Sequence, residues 1–268
     1  MSGFSAQWLA LREPYDARAR NPAVLDAVVA AMSGLPSISV VDLACGTGAT
    51  LRALEPHLPA RQVWKLVDNN LGLLARAADT PRMERTTVTA TPVDLAVDLE
   101  VALDGAVDLV TTSALLDLVS ASWLERLATE VAVRRLPFYE ALTYDGRVEF
   151  EPSDPQDRSV IDAVNKHQRN DKGFGPALGP TAVTAATAAF ERLGYEVTRG
   201  PSDWTFGPED QEIQMDILVG WATAAREMGA LGLDDLAAWL RRRQESVAAR
   251  RSQIRVGHVD LFAQPKRG

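Results

Sequence analysis

The sequence predicts an α/β fold in which a parallel sheet is covered by helices on both faces. Three observations carry that reading. Past Asn21 the chain alternates strand-period and helix-period stretches. The run "VVDLACGTGATLRAL", Val40 to Leu54, passes from an apolar strand through a glycine loop into a helix, and a second apolar strand ends on Asp68, 22 residues beyond Gly46.

The elements follow in order. "PAVLDAVVAAM" carries Pro22 in its first turn and Val24, Val28 and Ala31 on one stripe, which marks a helix from Pro22 to about Met32. "SISVVDL" reads as a buried strand and "GATLRALEPHL" as a helix; "VWKLVDNN" and "LGLLARAAD" repeat the pair. "TTVTATPVDL" is the third strand, "AVDLVTTSALL" the fourth, "SASWLERLATEVAV" the helix after it, and "LPFYEALTYDGRVEF" a fifth, extended run. From Glu151 to Pro180 the rhythm stops. The chain there is polar and rich in Pro and Gly, too long for an ordinary connection, which points to a lid or substrate loop over 151–180. "TAVTAATAAFERLGYEV" restores helix then strand, with Gly194 as a helix stop. Two amphipathic stretches, Gln211 to Met228 and Leu233 to Arg251, make a helical insertion over 208–252 before "SQIRVGHVDLFAQ" returns as the last strand. The chain reads as a single domain, 1–268, with an N-terminal cover at 1–21.

Hydrophobic residues make up 46% and charged residues 24%, a globular composition, and the net charge of −8 disfavours a nucleic-acid partner. The single cysteine, Cys45, excludes an internal disulfide and a multi-cysteine zinc site; no metal is expected. The opening "MSGFSAQWLALREPYD" lacks a secretory pattern, and no apolar run reaches the ~18 residues of a membrane span. A soluble, cytoplasmic protein without a membrane partner is expected.

In a strand–loop–helix unit, glycine lets a ligand approach backbone N–H groups. Gly46 and Gly48 suit that role. The dinucleotide fingerprint needs a third glycine at position 51, where this chain has Leu51, which counts against NAD. Asp68, closing the second strand, can accept two hydrogen bonds from ribose hydroxyls. Together these describe an adenosine ligand without phosphates.

The string "VVDLACGTGATLRAL" resembles the first motif of class I S-adenosylmethionine-dependent methyltransferases, an acidic residue followed by glycine-spaced positions, with Ala44 where many members have glycine. That replacement keeps the turn but restricts positive φ. The resemblance spans roughly Val24 to Tyr144, with a tail from Tyr195 to Phe262. It implies a Rossmann-like, seven-stranded, mostly parallel doubly wound sheet with S-adenosylmethionine as cofactor and S-adenosylhomocysteine as product. It further implies Asp42 near the methionine amino group, and Gly46 and Gly48, with Ala44 and Cys45, along the cofactor backbone. Asp68 takes the ribose, with Asn69 beside it at the cofactor, Asp94 the adenine amino group, the Leu95 N–H the ring, and Ser113 and Leu115 lie near the sulfonium. Each aspartate has a competing use as a cap or turn residue.

"WLALREPYDARAR" interleaves apolar residues and arginines, as amphipathic cover would. Similar methyltransferases close an N-terminal helix over the cofactor, which nominates Arg12 first and Arg20 second for its carboxylate. "VNKHQRNDKGFGPALGP" gathers Lys166, His167, Arg169 and Lys172, either a solvated face or a site for an anionic substrate group. His167 is a candidate general base, with Asp117 competing for the role; His57 and His258 read as structural. Tyr144, Arg169, Lys172 and Trp221 are the substrate-side candidates. The helical pair carrying Trp221 serves as core, as a pocket roof or as a homodimer face. The expected activity is methyl transfer to an oxygen, or next a nitrogen, of a small molecule. Two rivals remain: an NAD-dependent oxidoreductase, for which a Tyr-x-x-x-Lys pair is missing, and a non-catalytic methyltransferase-like partner subunit.

Overall fold

The computed structural model describes residues 4–59 and 61–266. Its strands are β1 (Ile38–Leu43), β2 (Gln62–Asp68), β3 (Thr86–Pro92), β4 (Leu109–Ser113), β5 (Phe138–Glu151), β6 (Tyr195–Pro201), β7 (Trp204–Phe206) and β8 (Gln253–Pro265). One sheet holds them in the order β3-β2-β1-β4-β5-β8-β6, with β7 paired to β8. β1 to β5 run parallel and β8 runs antiparallel to its neighbours. The predicted mostly parallel doubly wound sheet is therefore present, with an eighth strand added. That strand is three residues long, too short to show a two-residue period.

The helices are α1 (Ala6–Ala19), α2 (Pro22–Met32), α3 (Ala49–Leu54), α4 (Leu71–Ala78), α5 (Leu99–Ala102), α6 (Ala121–Val133), α7 (Asp157–His167), α8 (Ala182–Arg192), α9 (Gln211–Glu227) and α10 (Leu233–Ala248). β1 is apolar on both faces because both are covered. Ile38 and Val40 join one buried cluster with Val24, Leu51 and Trp64, while Val41 and Leu43 join another with Leu127, Phe138 and Phe190. Leu51 is fully buried, so the position where a dinucleotide site needs glycine is here a core residue, whose truncation would cost about 2–5 kcal/mol.

The 151–180 segment, read as loop, contains α7. Its buried apolar residues are Val160, Ala163 and Val164, and so short a helix depends on tertiary partners. Its first residue, Asp157, forms a buried ion pair with Arg243 of α10 and accepts from Trp239 Nε1 at 2.9 Å, while Arg243 Nη1 donates to Pro152 O at 2.6 Å. α7, α9 and α10 thus lock together over the outer half of β5 and β8. Two register irregularities in the β5–β8 pairing, between Glu140 and Thr143 and between Tyr144 and Val148, bend this pair. Asp260 fixes the first by accepting from Leu142 N at 2.8 Å, with Leu142 at φ 62°.

α1 ties the two halves together. Glu13 accepts two hydrogen bonds from Arg52 of α3, Asp16 accepts from Trp204 Nε1 of β7, and Tyr15 donates to Asp210 before α9. Residues 1–3 of the expected cover lie outside the described residues. Among the described residues no helix is long and apolar enough to cross a membrane.

Candidate functional site

Where β1 ends, the chain reverses through left-handed residues: Ala44 at φ 52°, Gly46 at 54° and Gly48 at 83°. Ala44, expected to resist that region, adopts it, at a cost of roughly 1 kcal/mol. Asp68 Oδ2 accepts from Gly46 N at 2.9 Å and its Oδ1 from Asn70 N at 2.8 Å, so one carboxylate shapes both loops. These loops, with the end of β4, enclose a cavity of about 570 Å³. Ala44, Cys45 and Gly46 line it from β1, and Asp68 and Asn69 from β2. Leu95, Ser113 and Leu115 close the third side, and Arg12 of α1 lies across the top. Burial pushes the Cys45 thiol up from its ordinary range, so it contributes surface and no nucleophile.

Four expected cofactor contacts are not among the residues that line this cavity. Arg20 is buried away from the cavity, where its Nη1 donates to Tyr139 Oη at 3.2 Å, beside Asp260. An arginine this buried is retained by neighbouring anions and a hydroxyl, which surface reasoning could not locate. Gly48 starts α3 and packs it on α4, where an added Cβ would stand 3.5 Å from Ala77. Asp94 is exposed and its Oδ1 accepts from Ala96 N at 3.0 Å, a turn role, while its neighbours Val93 and Leu95 face the cavity. Asp42 lies beneath the loop, fully buried. Its Oδ1 accepts from Thr111 Oγ1 at 2.9 Å, its Oδ2 has no partner among the described residues, and burial pushes its carboxyl up to about 7.

A second cavity, about 920 Å³, shares Phe4, Arg12, Ala114, Leu118 and Lys172 with the first. Arg12 Nε is held by Asp16 Oδ2 at 2.9 Å, and its guanidinium sits 5.7 Å over the Trp204 ring, which leaves its other nitrogens for the junction. Lys172 forms no hydrogen bond or ion pair with a described residue, and partial burial lowers its amine. Asp117 lines the second cavity with Oδ1 buried and unpartnered, and burial pushes its carboxyl up to about 6.

The other substrate-side candidates divide. Tyr144 and Trp221 line the second cavity, but Tyr144 Oη donates to Asn165 Oδ1 at 2.8 Å, so it presents chiefly its ring. His167 lines the outer part and binds Glu227 through Nε2 at 2.9 Å. Arg169 and Lys166 line neither cavity; the sequence cluster is dispersed because Lys166 and His167 end α7 while Arg169 and Lys172 follow in the loop beyond it. His57 is exposed, whereas His258, read as structural, lines the second cavity with Trp8 and Trp204. No local signal marks these three: each sits on a different element and they meet only in the fold.

No family model matches the chain, and no curated protein does. Solved structures do resemble it. YcgJ from Bacillus subtilis aligns with a TM-score of 0.51 at 12% identity, over 92% of this chain and 100% of its own. A cyclopropane-fatty-acyl-phospholipid synthase-like protein from Lactobacillus casei aligns at 0.52 and 13%, over 94% and 98%. A proposed type II methyltransferase from Anaeromyxobacter dehalogenans aligns at 0.50 and 18%, over 92% and 96%. The chain has the fold of the class I methyltransferases.

Proposed function

We propose that this protein is an S-adenosylmethionine-dependent methyltransferase that acts on an oxygen, or next a nitrogen, of a small molecule. The observation that carries this reading is the pair of cavities. One lies at the carboxyl ends of β1, β2 and β4 with the Asp68 carboxylate in its wall, and it meets a larger one at Arg12 and Lys172.

The residues present fit the cofactor. The Asp68 oxygens each hold one backbone N–H and keep a lone pair for ribose hydroxyls. Gly46 leaves a surface that a Cβ would fill, 3.2 Å from Leu9 of α1. Asp42 Oδ2 is a buried acceptor without a partner beneath that surface, and Arg12 suits a carboxylate. Leu51, buried in the core, speaks against a dinucleotide.

When bound, the cofactor supplies a methyl group already activated on a sulfonium. The protein then has chiefly to orient and to exclude water. Orientation can supply about 7–11 kcal/mol, and a general base about 10²- to 10⁴-fold in rate, roughly 3–5 kcal/mol. Arg12 of α1 and Phe4, just before that helix, line both cavities. Asp117, adjacent to the shared Leu118, takes the acceptor's proton in preference to His167, which is engaged with Glu227. Lys172 steadies negative charge at the junction, consistent with a substrate that bears an anionic or acidic group.

Calorimetry with S-adenosylmethionine and NAD in parallel tests this reading. Binding of the first is expected, with Asp68→Asn weakening it about 10- to 100-fold because an amide nitrogen would face a backbone N–H. Binding of NAD alone, or undiminished uptake by Asp68→Asn, overturns the assignment. Binding of neither favours the non-catalytic subunit.

A further inference from the structure

The second cavity is walled by rings. Three of the chain's six tryptophans, Trp8 of α1, Trp204 of β7 and Trp221 of α9, line it with Tyr144 of β5 and His258 of β8. Trp204 and His258 lie 4.6 Å apart between centroids, His258 and Tyr144 6.0 Å, and Trp8 and Trp204 6.4 Å. Tyr144 and His258 are Cα partners across the β5–β8 pair, so both rings stand on rigid sheet. These rings stand at 51–74° to one another and so offer both edges and faces, which suits a rigid aromatic ligand that loses little freedom on entering.

One acceptor stands among these rings. His258 Nδ1 lies 3.1 Å from Val256 O, and a carbonyl only accepts, so Nδ1 carries the proton. Burial holds the imidazole neutral, pushing it down to about 3. Nε2 is therefore an acceptor, and it bonds no described residue. A ligand that is apolar throughout would bury Nε2 unsatisfied; one that donates to it gains at least about tenfold in affinity over its capped analogue.

We propose that the acceptor substrate is a planar aromatic compound bearing a free hydroxyl, and that His258 Nε2 receives a hydrogen bond from it. This rests on the methyltransferase reading and specifies the substrate class of the same site. Tyr144 does not compete for the role, since its proton is given to Asn165. Lys172 and Arg12, where the two cavities join, suit the acidity of an aromatic hydroxyl.

Equilibrium dialysis with 7-hydroxyflavone, 7-methoxyflavone and 1-dodecanol tests the proposal on the full chain without methyl donor. The hydroxyflavone is expected to bind at least tenfold tighter than either control. His258→Phe, which keeps a ring and removes the acceptor, should shrink the hydroxy-over-methoxy preference to under threefold, and His258→Gln, with an oxygen near Nε2, should retain most of it. Trp221→Leu, at a half-buried position, should weaken both flavones while leaving dodecanol unchanged, and it keeps the test open if His258→Phe fails to fold. The proposal is overturned if dodecanol binds as well as the hydroxyflavone, if the preference survives in His258→Phe, or if Trp221→Leu affects all three alike. Uptake of S-adenosylmethionine without any flavone binding would sink this inference alone; the converse would sink the methyltransferase reading.

Discussion

The two cavities that meet at Arg12 and Lys172 are made in different ways. The smaller is largely backbone: left-handed turns after β1 and β4 and the Asp68 carboxylate that accepts from Gly46 and Asn70. Much of it comes from Ala44 to Asn70. The larger is mostly side chain, drawn from α1, β5, α7, β7, α9 and β8. A backbone cradle suits a ligand that never changes, whereas a side-chain cavity can change its ligand by substitution without disturbing the sheet.

That difference predicts separable failure. Arg243 and Asp157 pin α10 to α7 behind the larger cavity and are both buried. Arg243→Met strands the Asp157 carboxylate with Trp239 Nε1 and Asp154 N as remaining donors. A loss of about 3–5 kcal/mol is expected, which lowers Tm by roughly 10 °C in thermal unfolding. Affinity for S-adenosylmethionine measured well below that Tm should stay within about threefold. If affinity falls along with stability, the cavities are one cooperative unit and the contrast fails.

The next effect is set by pH. Burial raises Asp42, beneath the loop of the smaller cavity, to about 7, and Asp117, at the larger, to about 6. Both lie above the ordinary carboxylate value near 3.9, so between about pH 4 and the raised value the unfolded chain has released a proton that the folded chain keeps. Stability from each group is present below pH 4 and is lost as pH rises through its folded value. Asp42→Asn removes that loss. Its Tm relative to the unmodified protein should therefore climb from pH 5 to 8, by the equivalent of about 2–4 kcal/mol, and level off above 7. For Asp117→Asn the same climb should be complete near pH 6. Identical profiles for the two variants would remove the electrostatic distinction between the sites.

The same contrast decides what could be read before the fold was known. The cradle was legible because glycine spacing and a strand-ending aspartate are local consequences of a strand–loop–helix turn: Cys45, Gly46, Asp68 and Asn69 lie where that spacing implies. Asp94 is less distinct, since an Asp after a strand is equally a turn former: its Oδ1 takes the Ala96 N–H while Val93 and Leu95 line the cavity. Gly48 answered the need for a left-handed residue ahead of α3, and Arg20 a buried network with Tyr139 and Asp260. The larger cavity was hidden for a different reason. Trp8, Trp204 and His258 carry no shared period or spacing, and their meeting depends on a three-residue strand and two strand irregularities. Helix α7 escaped notice because its short stripe, Val160, Ala163 and Val164, lies inside a polar, Pro- and Gly-rich segment, and the helix that covers it, α9, is distant in sequence.

The smallest expected effect probes the backbone cradle itself. Ala44 at φ 52° pays for its turn in a region that L-residues disfavour, by roughly 1 kcal/mol, whereas glycine enters it freely. Glycine also widens the unfolded ensemble, which returns about 0.4–1 kcal/mol of that gain. Ala44→Gly should therefore move Tm by no more than a few degrees, upward or close to zero. Backbone donors such as Gly46 N keep their places, so S-adenosylmethionine affinity should change by less than about twofold in calorimetry. A conservative swap in the other wall, His258→Gln, trades a ring for an amide between Trp204 and Tyr144 and should alter stability more. A clear fall in Tm for Ala44→Gly would mean that this turn is not left-handed in solution, and the backbone cradle would then need another geometry.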